Sequence, residues 1–496
     1  MFPGLKQLGK QTAIYGIGDV IGRLSTFLLL PIYTNFLSLG EFGTLEIFYM
    51  TSAILTIFLG RQLSHAALRF YFEYDTQTDR NRVISSAFLS FLFFTGSLLA
   101  ICMVFASRFS IVLFSSPEYT VHFCILFTWL FFNLSKEILL AYVRALERAK
   151  FFVSVSLCDL LIKLLLCTYL VVVMELGVLG VLLGNLAGSL FAWLILSVFT
   201  IVRCGIKIDF SKSKELFVYA LPLFFVGISG TVISNADRFF IKSYISLEAV
   251  GLYALGFRFA TILRFLVIQP FTKGYGPFRF KIMKQDNASE IYARVTTYFT
   301  FGCAWAAVGI AAFASETIQI MSHENYWSAN TVVPMLLLAV FGGSGLYYMF
   351  QTGLYIQRNT NVLSVLFAVA AGIDIFSLWL LVPRFGILGA AFSQLIAYTF
   401  IACSSLYLSN RAYKIPFEWH RLLKIIGLCC AYISATFFTY HPTPYWSVAI
   451  KIPVFFSYPV VLFLYGILNQ EEKEKLLSII RQAKNKFIPK KITDRL

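Results

Sequence analysis

The chain has 496 residues, 58% hydrophobic, 17% aromatic and only 13% charged, with a mean hydropathy of +0.75. This composition excludes a water-soluble globular domain and predicts an all-α integral membrane protein. Lys and Arg outnumber Asp and Glu by 41 to 25, but the excess falls in alternate loops and the tail, so it records orientation and no nucleic-acid partner is expected.

A membrane-spanning helix needs about 20 mostly apolar residues. That rule picks out about fourteen transmembrane segments: 12–37, 43–62, 83–107, 121–143, 151–174, 178–202, 216–243, 250–271, 292–315, 329–355, 361–382, 386–408, 422–440 and 448–468. The first follows Lys6 and Lys10 without a signal-peptidase-like site and reads as a retained span. It carries Asp19 and Arg23 among Gly16, Gly18 and Gly22, which permit close helix approach, and Pro31 near its end. Arg61 closes the second segment. Lys136 and Glu137 lie in the fourth, and Asp159 and Lys163, at i,i+4 spacing in the fifth, read as an internal ion pair.

The seventh and eighth segments hold the densest intramembrane charge: Asp237, Arg238 and Lys242, then Arg258 and Arg264. An ionisable side chain at membrane depth costs roughly 2.5–3.5 kcal/mol, so it normally faces protein or a watery cavity. Several cations in one hairpin therefore point to a pocket for an anion. Arginine suits that role, because its planar fork donates bidentately and keeps its charge when desolvated. Arg258 and Arg264 lie about 9 Å apart along a helix and about 120° apart around it, so only one is expected to point straight into a shared cavity. A purely structural reading competes: Asp19 can face Arg23, Asp237 can pair with Lys242 or with neighbours of Arg238, and Arg61 can reach the headgroups by snorkelling. Asp19, Asp237 and Asp374 are candidates for taking up a proton or sodium ion, and Pro31 and Pro222 open the two halves as hinge candidates.

The connections test the count. Positive charge recurs in alternate loops, at Arg69, Arg80 and Arg82; Arg144, Arg148 and Lys150; Arg203, Lys207, Lys212 and Lys214; Lys273, Arg279, Lys281 and Lys284; Arg358; and Arg411, Lys414, Arg421 and Lys424. The opposite loops offer little positive charge beyond Arg108 and Arg384, and instead hold Glu41, Glu118, Glu175, Glu248, Glu316 and Glu324. One missed span would invert every later loop, so the alternation predicts an even count with both termini in the cytoplasm. No loop is long enough for a soluble domain. The tail 471–496 alternates apolar and basic residues and is expected to lie on the anionic cytoplasmic leaflet.

An internal repeat gives the organisation. Leu37-Ser-Leu-Gly-Glu-Phe-Gly43 returns 208 residues later as Ile245-Ser-Leu-Glu-Ala-Val-Gly251, and Gly177-Val-Leu-Gly180 returns at nearly the same offset as Gly386-Ile-Leu-Gly389. Two matches in order predict a duplicated, parallel six-helix unit: a first lobe at 1–208, a second at 209–415, and two further helices at 416–470. Transporters commonly seat substrate between such repeats near the midplane.

Asn235-Ala-Asp-Arg-Phe-Phe-Ile-Lys, Ser246-Leu-Glu-Ala-Val-Gly-Leu-Tyr-Ala-Leu-Gly-Phe-Arg, Gly18-Asp-Val-Ile-Gly-Arg-Leu and Leu30-Pro-Ile-Tyr-Thr together resemble bacterial polysaccharide-export (O-antigen-type) flippases of the multidrug/oligosaccharidyl-lipid/polysaccharide superfamily. The resemblance implies two six-helix lobes around a central cavity in the inner membrane. It also implies flipping of an undecaprenyl-diphosphate-linked sugar repeat unit, with cavity arginines receiving the diphosphate. Arg23, Arg61, Arg258 and Arg264 are the positions that could do so. Membrane lipids, a polysaccharide polymerase and glycosyltransferases are the implied partners. No catalytic residue, cofactor or metal is expected, with protons or sodium as candidate coupling ions. Two rivals make different demands. A cation-coupled multidrug exporter of the same superfamily needs a cavity dominated by carboxylates, and a membrane polymerase or glycosyltransferase needs a large external loop with catalytic residues.

Three further signals are set aside. Gly4-Leu-Lys-Gln-Leu-Gly-Lys10 imitates a phosphate loop but lacks its Ser or Thr, Asn287-Ala-Ser289 lies on the expected cytoplasmic side, and the five histidines and nine cysteines show no metal-ligand spacing.

Overall fold

Long apolar runs, several of them begun by a side chain that caps a helix, set the local structure of this chain. Ser38, Thr76, Asp209 and Ser246 accept backbone N–H bonds at four helix starts, and at Ser38 the side chain of Glu41 returns the bond in a capping box. The structure is a computed structural model that describes residues 27–59, 63–357, 361–436 and 444–466. Among these residues all regular secondary structure is helical. In chain order the α-helices are α1 Leu30–Phe36, α2 Leu39–Phe58, α3 Leu63–Glu73, α4 Gln77–Val104, α5 Ala106–Phe114, α6 Thr120–Ala145, α7 Ala149–Thr168, α8 Gly177–Cys204, α9 Phe210–Tyr244, α10 Leu247–Leu263, α11 Gln269–Ile282, α12 Ala288–Met321, α13 Val333–Val340, α14 Tyr347–Phe350, α15 Thr352–Ile356, α16 Asn361–Ala412, α17 Trp419–Ala435 and α18 Pro444–Leu464.

Ten helices among the described residues are long and apolar enough to cross a membrane, against the fourteen segments expected. Much of that difference has a visible origin. Most of segment 12–37 lies outside the described residues, α9 carries Asp237, Arg238 and Lys242, and α17 has only 17 residues. The eleventh and twelfth segments form the single element α16, which is broken by Gly386 at φ +60°. The Ser393 hydroxyl donates to the Asp374 carbonyl at 2.9 Å and carboxylate at 3.0 Å, so the two arms of α16 run side by side. Nineteen residues of straight helix would hold those groups about 28 Å apart.

Helix α6 packs along α8, as does α7, while α9 packs along α16. Helices α17 and α18 both lie on α12. One apolar cluster, including Phe48, Phe123, Tyr253, Phe259 and Tyr292, continues from the first half of the chain into the second.

The repeated motifs meet in space. Helices α2 and α10 cross where Gly43 faces Gly251, so closely that a Cβ on either would lie 3.3 Å from the other's backbone nitrogen. A Cβ at Gly251 would also stand 2.7 Å from the Leu39 carbonyl oxygen. Gly177 and Gly386, paired in the second motif, both adopt positive φ, at +52° and +60°, which glycine enters without strain. Because backbone cannot yield as a flexible side chain can, Gly251→Val is expected to cost about 1–3 kcal/mol or more. Gly427→Ala, placed in open space, should change little. Thermal unfolding in detergent checks both.

Of the hinge candidates, Pro31 stands in the first turn of α1, shortly after the helical residues 27 and 28. Position 222 lies inside α9, which is helical through it.

Candidate functional site

Two features contain intramembrane charge. The first is a cavity of about 330 Å³ lined by Gly230, Ser234, Arg264, Gln269, Thr272, Gly343, Ser344, Tyr347, Tyr348, Phe367 and Tyr398 among others. Its walls depend on two π-helical turns, Arg264–Ile268 after α10 and Phe341–Leu346 after α13. A π turn inserts an extra residue and re-aims side chains, and such turns are frequent at functional sites. Arg264 opens the first of them. Its Nη2 donates to the Tyr398 hydroxyl at 3.4 Å, and its buried Nε has no hydrogen-bond partner among the described residues. No described carboxylate lies within ion-pair distance of Arg264, and no described lining residue is acidic. In the second turn Gly343 sits against the ring of Tyr398, where a side chain would collide. The Tyr348 hydroxyl donates to the Thr272 carbonyl at 3.1 Å, which fixes one more ring at the wall. The result is one guanidinium among several tyrosine faces, an arrangement able to hold an anion with sugar rings stacked beside it.

The second feature is a buried ionic chain. Glu46 of α2 accepts from Arg258 Nη2 at 2.5 Å and lies 3.5 Å from Arg238 Nε. Arg238 in turn reaches Asp237 at 2.9 Å and the Ser234 carbonyl at 3.0 Å. Asp374 is buried on α16 with Oδ1 bonded by Ser393, and its Oδ2 has no partner among the described residues. Asp237 lies within electrostatic range of Asp374.

A model of the family described as polysaccharide biosynthesis protein matches residues 8–283, more than half of the chain. The chain belongs to the polysaccharide biosynthesis protein family. An uncharacterized membrane protein of Haemophilus influenzae is 25% identical over 282 residues, 56% of this chain and 66% of its own length. The matched segment thus covers just under two thirds of that curated relative. The fold is similar to the lipid II flippase MurJ in an inward closed conformation, with a TM-score of 0.71 at 14% identity over 92% of this chain and 99% of that one. It is also similar to an inward-facing multidrug resistance MATE family transporter of the MOP superfamily, with a TM-score of 0.61 at 14% identity over 84% and 96% of the two chains. At these identities the likeness is one of fold.

In this polysaccharide biosynthesis protein the anticipated residues separate. Arg264 lines the cavity, Arg258 is clasped by Glu46, and Arg23, Arg61 and Asp19 lie outside the described residues. Asp237 pairs with Arg238 itself, and not with Lys242, whose ammonium donates to the Leu113 carbonyl and faces the Phe114 ring. Asp159 binds Lys163 at 3.0 Å, and Lys136 joins the same carboxylate at 2.7 Å. Sequence reasoning missed Glu46, Ser234 and the tyrosines 347, 348 and 398. A lone carboxylate inside the apolar segment 43–62 was the available signal for Glu46, and the run Phe341-Gly-Gly-Ser-Gly was the signal for the second π turn.

Proposed function

We propose that this protein is a flippase that carries an undecaprenyl-diphosphate-linked oligosaccharide from the inner to the outer leaflet of the bacterial inner membrane by alternating access, for surface polysaccharide assembly. The observation that carries this reading is Arg264: a guanidinium without a described carboxylate partner, in a cavity walled by tyrosines. A diphosphate can take the fork bidentately, and the attached sugars can lie on the ring faces. Membership of the polysaccharide biosynthesis family and the MurJ-like fold support the choice of a lipid-linked substrate. The rival drug exporter needs acidic groups in the cavity, and its described lining has none. Both termini are assigned to the cytoplasm, with lobes 1–208 and 209–415 rocking against each other, helices 416–470 beside them and the basic tail on the inner leaflet.

Arg264→Ala is expected to lower surface polysaccharide at least tenfold with the protein still folded in the membrane. Arg264→Lys should recover only part of it, because an ammonium lacks the bidentate geometry. Normal polymer from Arg264→Ala, at unchanged protein level, removes Arg264 from the mechanism. For coupling, Asp237 and Asp374 are the described candidates. Asp374→Asn is expected to make transport in vesicles insensitive to an imposed sodium or proton gradient, with loss of gradient-driven accumulation as the measured quantity.

A further inference from the structure

Glu46 and its two arginines make up an anion site that is already occupied. The carboxylate is 5% exposed and sits between two guanidiniums. Behind Arg258 lies the ring of Phe42, 5.0 Å from the guanidinium carbon, and behind Arg238 lies that of Phe257, at 4.7 Å. An aromatic ring backs each cation, and Arg238 holds a second anion, Asp237, at 2.9 Å. The acid and the bases come from opposite halves of the chain: Glu46 is 192 residues from Arg238 and 212 from Arg258. Arg258 spends only Nη2 on the carboxylate, and its buried Nη1 has no hydrogen-bond partner among the described residues. The Glu46 carboxylate therefore leaves part of a fork-shaped donor unused. A phosphate-type anion, with more oxygens and more charge, would fill it better.

The position adds a consequence. Glu46 lies one turn beyond Gly43 on α2, and Arg258 two turns beyond Gly251 on α10, so the ionic clasp joins the two halves beside the Gly43–Gly251 crossing. We propose that Glu46 is a stand-in anion: a phosphate-type anion, the lipid diphosphate under the function proposed above, displaces it from Arg258 and Arg238, and the same exchange releases the clasp between the halves. A ligand shifts a conformational equilibrium only by binding one state better than the other. Here the difference is built in, because Arg258 is engaged by Glu46 in the clasped state and released in the open one, while Arg238 keeps Asp237 at 2.9 Å in the clasped state. Glu46 is thus a positioning residue that keeps the site shut until the correct charge arrives.

The test uses the full chain in lipid nanodiscs with inorganic pyrophosphate as probe. Gly40 and Glu248 flank the crossing, a Cβ on Gly40 lying 3.4 Å from the Glu248 carboxylate, so Gly40→Cys with Glu248→Cys reports closure by oxidative cross-linking once the native cysteines are replaced by alanine. Pyrophosphate is expected to reduce the cross-linked fraction at least twofold, and to have no effect when Arg258→Gln is added. Glu46→Gln should bind pyrophosphate about tenfold more tightly, as expected when one competing charged contact is lost. An unchanged cross-link with pyrophosphate overturns the proposal, and so does an equal loss in the Arg258→Gln protein. A Glu46→Gln protein that opens without gaining affinity also overturns it, leaving an interhelical clasp alone. The pyrophosphate effect on the unsubstituted Glu46 protein needs no variant at that position to fold. Repeating it in Arg264→Ala separates the two readings, since the exchange at Glu46 should persist whether or not polysaccharide is the cargo.

Discussion

Replacement of Asp159 by leucine is expected to strip the protein from the membrane fraction, the most severe effect of any single change in the first half of the chain. Its carboxylate is shared by two ammoniums, Lys136 at 2.7 Å on one oxygen and Lys163 at 3.0 Å on the other. Both lysines lie within apolar helices, and Gly188 presses so close that a Cβ there would stand 2.6 Å from Lys163 and 2.8 Å from Asp159. The cluster therefore has little room to rearrange, and only 14% of the Asp159 side chain and 16% of that of Lys163 are exposed. Breaking one partner of a buried pair costs about 3–5 kcal/mol, because the remaining charge is left uncompensated. Here two charges are left by one substitution. Asp159→Leu combined with Lys136→Met and Lys163→Met should recover most of the loss, since an apolar replacement of a whole buried ionic group is often neutral or stabilising. The check is membrane abundance and detergent melting temperature for the single and triple variants. Equal stability of Asp159→Leu and parent would mean that the lysines already reach water.

The last helix offers the second large effect. Glu316 of α12 and Lys451 of α18 are each 2% exposed and 2.5 Å apart, with the Ser447 hydroxyl donating to the same carboxylate oxygen. Trp305 adds an indole bond to the Phe455 carbonyl at 3.2 Å and stacks on the Phe455 ring at 5.2 Å. Lys451→Met removes the only described cation on Glu316 and should destabilise the docking of α18 by about 3–5 kcal/mol. Hydrogen exchange is expected to show faster opening confined to α18 and the facing part of α12. Adding Glu316→Leu should slow that exchange again. If the single variant exchanges like the parent, helix packing alone holds α18.

How much of this was legible depended on whether the signal was local. Apolar run length and the alternation of loop charge specified a many-helix membrane protein, since hydrocarbon admits little else. The Asp159–Lys163 pair was visible because i,i+4 neighbours meet on one helix face. Lys136, on a different helix, was not assignable until packing brought it to the same acid. Glu46 was harder still, because its partners are 192 and 212 residues away and only the crossing of α2 over α10 makes them neighbours. Arg258 and Arg264 stood out in the sequence as cations within one apolar segment. Their different surroundings, an acid for one and a cavity for the other, follow from their angular separation and from the π turn that begins at Arg264.

The Gly43–Gly251 contact also sets how motion would be amplified. With no side chain between the two backbones, that point is a natural fulcrum, and the thirteen residues from Gly251 to Arg264 form a lever arm of about 20 Å. Tilting α10 by about 10° around it would sweep Arg264 sideways by about 3 Å, roughly the length of a hydrogen bond. A bulkier residue at the fulcrum would thus shorten the stroke delivered to the guanidinium, even in a protein that still folds.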